Sequence, residues 1–175
     1  MAAIIGVLLI IVLLAIARED WKERQVSLLW FLALLLVAMG YFYWLGGQIS
    51  FMLTNLFFLL LQAALLLAYW LLRYKNLKLI SGIGVGDLVF MLIIASIFSP
   101  LNFVVFYFVS LVISLVAYLL VKQFIHTKHN TVPLAGLQSM CLIVLITVCS
   151  VANTKGLSST YTDDVLLEVL NILVA

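Results

Sequence analysis

Two aspartates are the residues of this chain that could do chemistry together. Asp20 follows the apolar run from Met1 to Ala17, and Asp87 closes the stretch Gly84-Val85-Gly86-Asp87. Two carboxylates at close range can hydrolyse a peptide without a metal, because like charges cannot both ionise comfortably and the pair shares one proton. The ionised member takes a proton from water. The protonated member donates to the carbonyl oxygen of the scissile bond, and a tetrahedral intermediate forms. The titration then belongs to the pair and not to either residue. A membrane edge suits this chemistry, since low dielectric raises the first pKa while water stays within reach. Gly82, Gly84 and Gly86 alternate just before Asp87. Glycine allows positive φ and close approach of another backbone, so Gly84 and Gly86 are candidate positions for laying an extended substrate strand beside the carboxylate. Each residue also has a plain reading: Asp87 as the N-cap of a helix, Asp20 as a charge in a solvated loop with Arg18, Lys22 and Arg24, and Gly-x-Gly as an ordinary turn.

The elements that must position these groups follow from composition. Of 175 residues, 67% are apolar and 9% charged, with mean hydropathy +1.32. Water-soluble domains carry roughly 25% charged residues, so lipid must solvate most of this chain. A spanning helix needs about 20 residues, and six spans are predicted, approximately 2–17, 27–45, 51–72, 87–99, 102–121 and 132–152. The connections 18–26, 73–86 and 122–131 hold eight of the nine Lys and Arg residues. The positive-inside rule puts that side in the cytoplasm, with both termini outside and Asp20 and Asp87 at the same cytoplasmic face. No Lys or Arg precedes Arg18, so the first run is expected to be a retained helix and not a cleaved signal. The predicted organisation is all-α: a membrane core over 1–152 and an extracytoplasmic tail over 153–175, in which Asp163, Asp164 and Glu168 fit a short amphipathic helix lying in the interface.

Other polar residues suggest packing. Asn55 and Gln62 share a helix face, as do Ser110 and Ser114, and interhelical hydrogen bonds explain both pairs. Cys141 and Cys149 form no CxxC and read as inert buried thiols. His126 and His129 are three apart but have no third ligand nearby, so no metal and no cofactor is expected. Tyr41, Tyr43 and Trp44 suit an outer interfacial belt. The basic residues form no stripe for phosphates, which argues against nucleic acid.

The stretch from Ala15 to Ser27, with Glu19-Asp20 followed by Lys22 and Arg24, resembles the first active-site region of type IV prepilin peptidases, and Gly84-Val85-Gly86-Asp87 matches the second motif of that family, Gly-x-Gly-Asp. The chain has Val26-Ser27-Leu28 where many members have Ile-Pro-Asn, and Val89 where many carry Lys. Of the family's Pro-rich helix start after the last cytoplasmic loop, only Pro133 in Val132-Pro133-Leu134-Ala135-Gly136 remains. The resemblance implies a multi-pass inner-membrane aspartyl endopeptidase with Asp20 and Asp87 as its catalytic pair. It also implies prepilin-like precursors as substrates, with short basic leaders that are removed at the cytoplasmic face. The zinc-binding Cys motifs of the larger bifunctional members are absent, so no N-methyltransferase activity is expected. Glu19 or Glu23 would attract the basic leader, or else be an ordinary solvated charge. The alternative function is a non-catalytic scaffold subunit of a pilus or secretion assembly. A transporter fits poorly, because ionisable groups are expected only at helix ends.

Overall fold

Backbone amides that cannot reach water must pair within their own segment, so long runs of Leu, Ile, Val and Phe fold as helices. The computed structural model describes residues 2–23, 25–44, 46–74, 85–124 and 134–151. These residues form six helices and no strand: α1 (Ala2–Glu23), α2 (Leu28–Trp44), α3 (Ile49–Tyr74), α4 (Val85–Ile94), α5 (Pro100–Phe124) and α6 (Leu134–Val151). Among the described residues, two stretches, Ile49–Arg73 and Pro100–Ala117, are long and apolar enough to cross a membrane. The expected tail helix, Gly84, His126 and His129 lie outside the described residues.

Two helix ends, at Glu23 and Ile94, differ most from the expected spans. The helix of the first predicted span runs on to Glu23, so Arg18, Glu19 and Asp20 are helical and not part of a loop. The chain reverses at Ser27, whose N–H donates to Glu19 Oε2 at 2.8 Å. That bond satisfies an amide at the start of α2 that has no helical partner. Glu19 thus holds the α1–α2 turn, and Glu23 pairs with Lys22 at 3.6 Å on the surface. The fourth predicted span, 87–99, is a helix only to Ile94. Tight turns follow, with Ala95, Ser96, Ile97, Phe98 and Ser99 all buried.

Buried carbonyls in a turn need donors. Asn55 of α3, itself buried, donates its Nδ2 to Ala95 O at 2.8 Å and to Phe98 O at 2.9 Å. Pro100 then opens α5, a favoured place for proline because its missing N–H is not needed there. Asn55→Leu removes this donor from both carbonyls and is expected to cost roughly 1–3 kcal/mol, read as a lower thermal midpoint in detergent. An unchanged midpoint would mean that the turn does not depend on Asn55.

α1 packs most closely on α6 and next on α2, while α4 rests on α2 and α6. The core comes from stripes at helical spacing: Leu9, Leu13 and Ile16 of α1, Phe31, Leu34, Ala38 and Tyr41 of α2, Phe90 and Ile94 of α4, and Leu142 and Ile146 of α6. α3 lies at the edge, joined to α5 through Phe58, whose ring meets Phe103, Tyr107 and Phe108 at centroid distances of 5.9–6.4 Å.

Candidate active site

Three of these stripes end at one place. Asp20 extends the α1 series Leu9, Leu13, Ile16 by one more step of four and is 7% exposed. Asp87 heads the α4 series that continues with Phe90, Met91 and Ile94, and is half-buried. Ala135 heads the α6 series that continues with Ser139, Leu142 and Ile146. The carboxylates meet at the N-terminus of α6. Gly136 N–H donates to Asp20 Oδ2 at 2.6 Å, and Ala135 N–H donates to Asp87 Oδ1 at 3.0 Å. The first amides of a helix have no partner within it and carry the positive end of its dipole, which makes them a natural seat for two acids.

The pairing does not come from α1 lying against α4, since these two helices do not pack extensively on each other. The N-terminus of α6 bridges them, through two residues that sequence reasoning passed over as site residues. The available signal was Gly136 at the start of an apolar run. A Cβ at that position would stand 3.0 Å from Asp20 Oδ2 and 3.3 Å from both Ala17 O and Asp20 Cβ. Only glycine lets α1 and α6 approach this closely without a shift.

Gly86, a candidate position for a substrate strand, does not use the positive φ that glycine allows. It is the second residue of α4, and Gly46 is the one glycine with positive φ among the described residues. A Cβ on Gly86 would meet the Phe31 ring at 3.5 and 3.7 Å, an ordinary contact. Asp87 itself is in the first turn of a helix that begins at Val85, two residues before the expected N-cap.

The local electrostatics differ between the two acids. Asp20 sits near the C-terminal end of α1, where the helix dipole opposes a negative charge by about 0.3–1 kcal/mol. The short bond from Gly136 N–H offsets this, because hydrogen bonds to charged acceptors are the stronger kind. Asp87 lies at the polar end of α4, outside both helices that qualify as spans. Burial, and next the Asp20 carboxylate, push the Asp87 carboxyl up to about 6, while the Ala135 N–H pulls the other way. The arrangement can therefore hold one proton on Asp87 beside an Asp20 oxygen prepared for negative charge. No third His, Cys, Asp or Glu joins them to make a metal site among the described residues.

One further polar group lies close along α6. Gln138 is 1% exposed, and neither its Nε2 nor its Oε1 has a hydrogen-bond partner among the described residues. An unpaired buried polar group costs about 1–3 kcal/mol.

No protein-family model, no curated protein and no solved structure matches the chain.

Proposed function

We propose that the chain is a membrane aspartyl endopeptidase of the prepilin-peptidase kind, cutting precursors where a short basic leader joins an apolar helix. The observation that carries this reading is the convergence of Asp20 and Asp87, from distant parts of the sequence, on two adjacent amides of α6. Two features support a bilayer setting. Large apolar side chains are exposed along the helices, from Leu36 at 74% to Leu72 at 83%, and the basic residues cluster in alternate connections.

In the proposed reaction Asp20 takes a proton from water as the water oxygen bonds to the scissile carbonyl carbon. Asp87 gives its proton to the carbonyl oxygen. The tetrahedral intermediate collapses as Asp20 gives its proton to the nitrogen and the C–N bond breaks, while Asp87 takes a proton from a hydroxyl of the intermediate, which returns the pair to one shared proton.

The test is co-expression with candidate precursors, followed by mass spectrometry of the new N-terminus. Wild type is expected to yield a precursor shortened at the leader–helix junction. A panel in which no leader is removed would defeat the reading. The pH dependence is a second check. Asp87 must be protonated, so kcat/KM is expected to fall as pH rises through about 6, by about tenfold per pH unit beyond it. A rate that stays flat from pH 5 to 8 would contradict a protonated Asp87.

The second reading is a scaffold subunit. What favours it is that the same two hydrogen bonds could serve only to tie three helices together. A scaffold removes no leader, and it tolerates Asn at either position because the amide oxygen can still accept from α6.

A further inference from the structure

Gln138 is buried with its whole carboxamide unpaired, although buried polar groups in native proteins are nearly always hydrogen-bonded. Its position on α6 is informative. A helix turns about 100° per residue, so Gln138 lies roughly 160° round the axis from Gly136, the residue that touches Ala17 and Asp20 of α1. Gln138 therefore lies on the opposite side of α6 from this contact with α1, and α6 also packs on α4 and α5. It is also roughly 60° round and about 4.5 Å along the axis from Ala135, whose N–H holds Asp87. The unpaired amide is thus about one turn along α6 from the two amides that hold the candidate dyad.

A carboxamide presents one acceptor and two donors in a plane, the complement of a peptide group. A substrate cut at the membrane edge must be unwound there, and its freed N–H and C=O need partners away from water. We propose that Gln138 is the residue that receives this unwound backbone. Its Nε2 donates to a substrate carbonyl and its Oε1 accepts from a substrate N–H, next to the scissile bond. α4 is the shortest of the described helices, with ten residues, and its first turn is tied to α6 through the Asp87–Ala135 bond. In the proposed binding step a substrate that engages Asp87 competes with that bond and opens the contact between α4 and α6, which makes the buried Gln138 reachable. This inference rests on the peptidase reading above.

The experiment uses the full chain in lipid vesicles with a synthetic precursor peptide made of a basic leader and an apolar helix. Two variants, Gln138→Leu and Gln138→Met, remove the carboxamide while keeping volume. Each is measured for melting and for cleavage, and peptide binding is measured with the inactive Asp20→Asn chain, alone and combined with Gln138→Leu. The expected result is a loss of roughly tenfold in kcat/KM, carried mainly by KM, with matching loss of peptide binding and a thermal midpoint that is unchanged or higher. A merely structural glutamine predicts the opposite, a lower midpoint with KM unchanged. Cleavage and binding within twofold of wild type in both variants would overturn the inference and leave the peptidase reading intact. Wild type that neither cleaves nor binds the peptide would overturn both.

Discussion

Asp20→Asn and Asp87→Asn are each expected to lower kcat/KM for precursor cleavage by at least about 10³-fold, the scale of losing a general acid or base. Both variants should still insert and fold. In each, the amide oxygen can replace the carboxylate oxygen that accepts from Gly136 or Ala135. Above about pH 6, where the Asp87 carboxyl ionises, Asp87→Asn also removes one of two like charges at a half-buried site, so its thermal midpoint at neutral pH should equal or exceed that of wild type. The double variant should be little worse than either single one, because groups that act as a unit lose their effect together. The measurement is the fraction of precursor with a new N-terminus, at matched membrane levels of each variant. Retained cleavage in either single variant would remove that aspartate from the mechanism. A large fall in the midpoint of Asp20→Asn would instead identify its carboxylate mainly as a tie between α1 and α6.

The helical class and the positions of the helices were legible because apolar runs of this length have few alternatives in lipid. Asp20 and Asp87 were legible as a pair through their types, their glycines and their common side, and in hindsight through periodicity, since Asp20 falls on the buried stripe Leu9–Leu13–Ile16. What brings them together was not legible. Hydrogen bonds from Ala135 and Gly136 come from backbone N–H groups, which every residue type but proline carries, so side-chain identity gives no mark of them. The end of α4 at Ile94 was hidden for a related reason. Residues 95–98, Ala-Ser-Ile-Phe, contain no Gly or Pro, and the turn depends on a donor from Asn55, far away in sequence. The emphasis on Gly86 came from a general property of glycine, whereas the structure places the tight approach at Gly136.

That contrast makes the second large effect a comparison of two alanine substitutions. At Gly136 a new methyl group meets Asp20 Oδ2 at 3.0 Å and the Ala17 carbonyl at 3.3 Å. The first contact is with the candidate catalytic carboxylate and the second with helix backbone, and neither is a flexible chain end that moves aside at little cost. α1 and α6 must separate by a few tenths of an ångström, and the 2.6 Å bond from Gly136 N–H to Asp20 must lengthen or turn. Gly136→Ala is therefore expected to lower kcat/KM by roughly 10–100-fold, since catalytic geometry tolerates little displacement, and to destabilise by about 1–3 kcal/mol through overpacking. Gly136→Val should be worse on both measures. At Gly86 the methyl group meets only the Phe31 ring at 3.5 Å, and alanine is the better helix former by up to about 1 kcal/mol, so Gly86→Ala should melt at or above the wild-type temperature. If Gly86 also lies along the path of the substrate strand, that variant loses activity through KM at undiminished stability. Thermal melting and steady-state cleavage of the two variants separate these effects. A Gly136→Ala protein with wild-type melting and wild-type cleavage would show that α6 does not need to sit this close to Asp20.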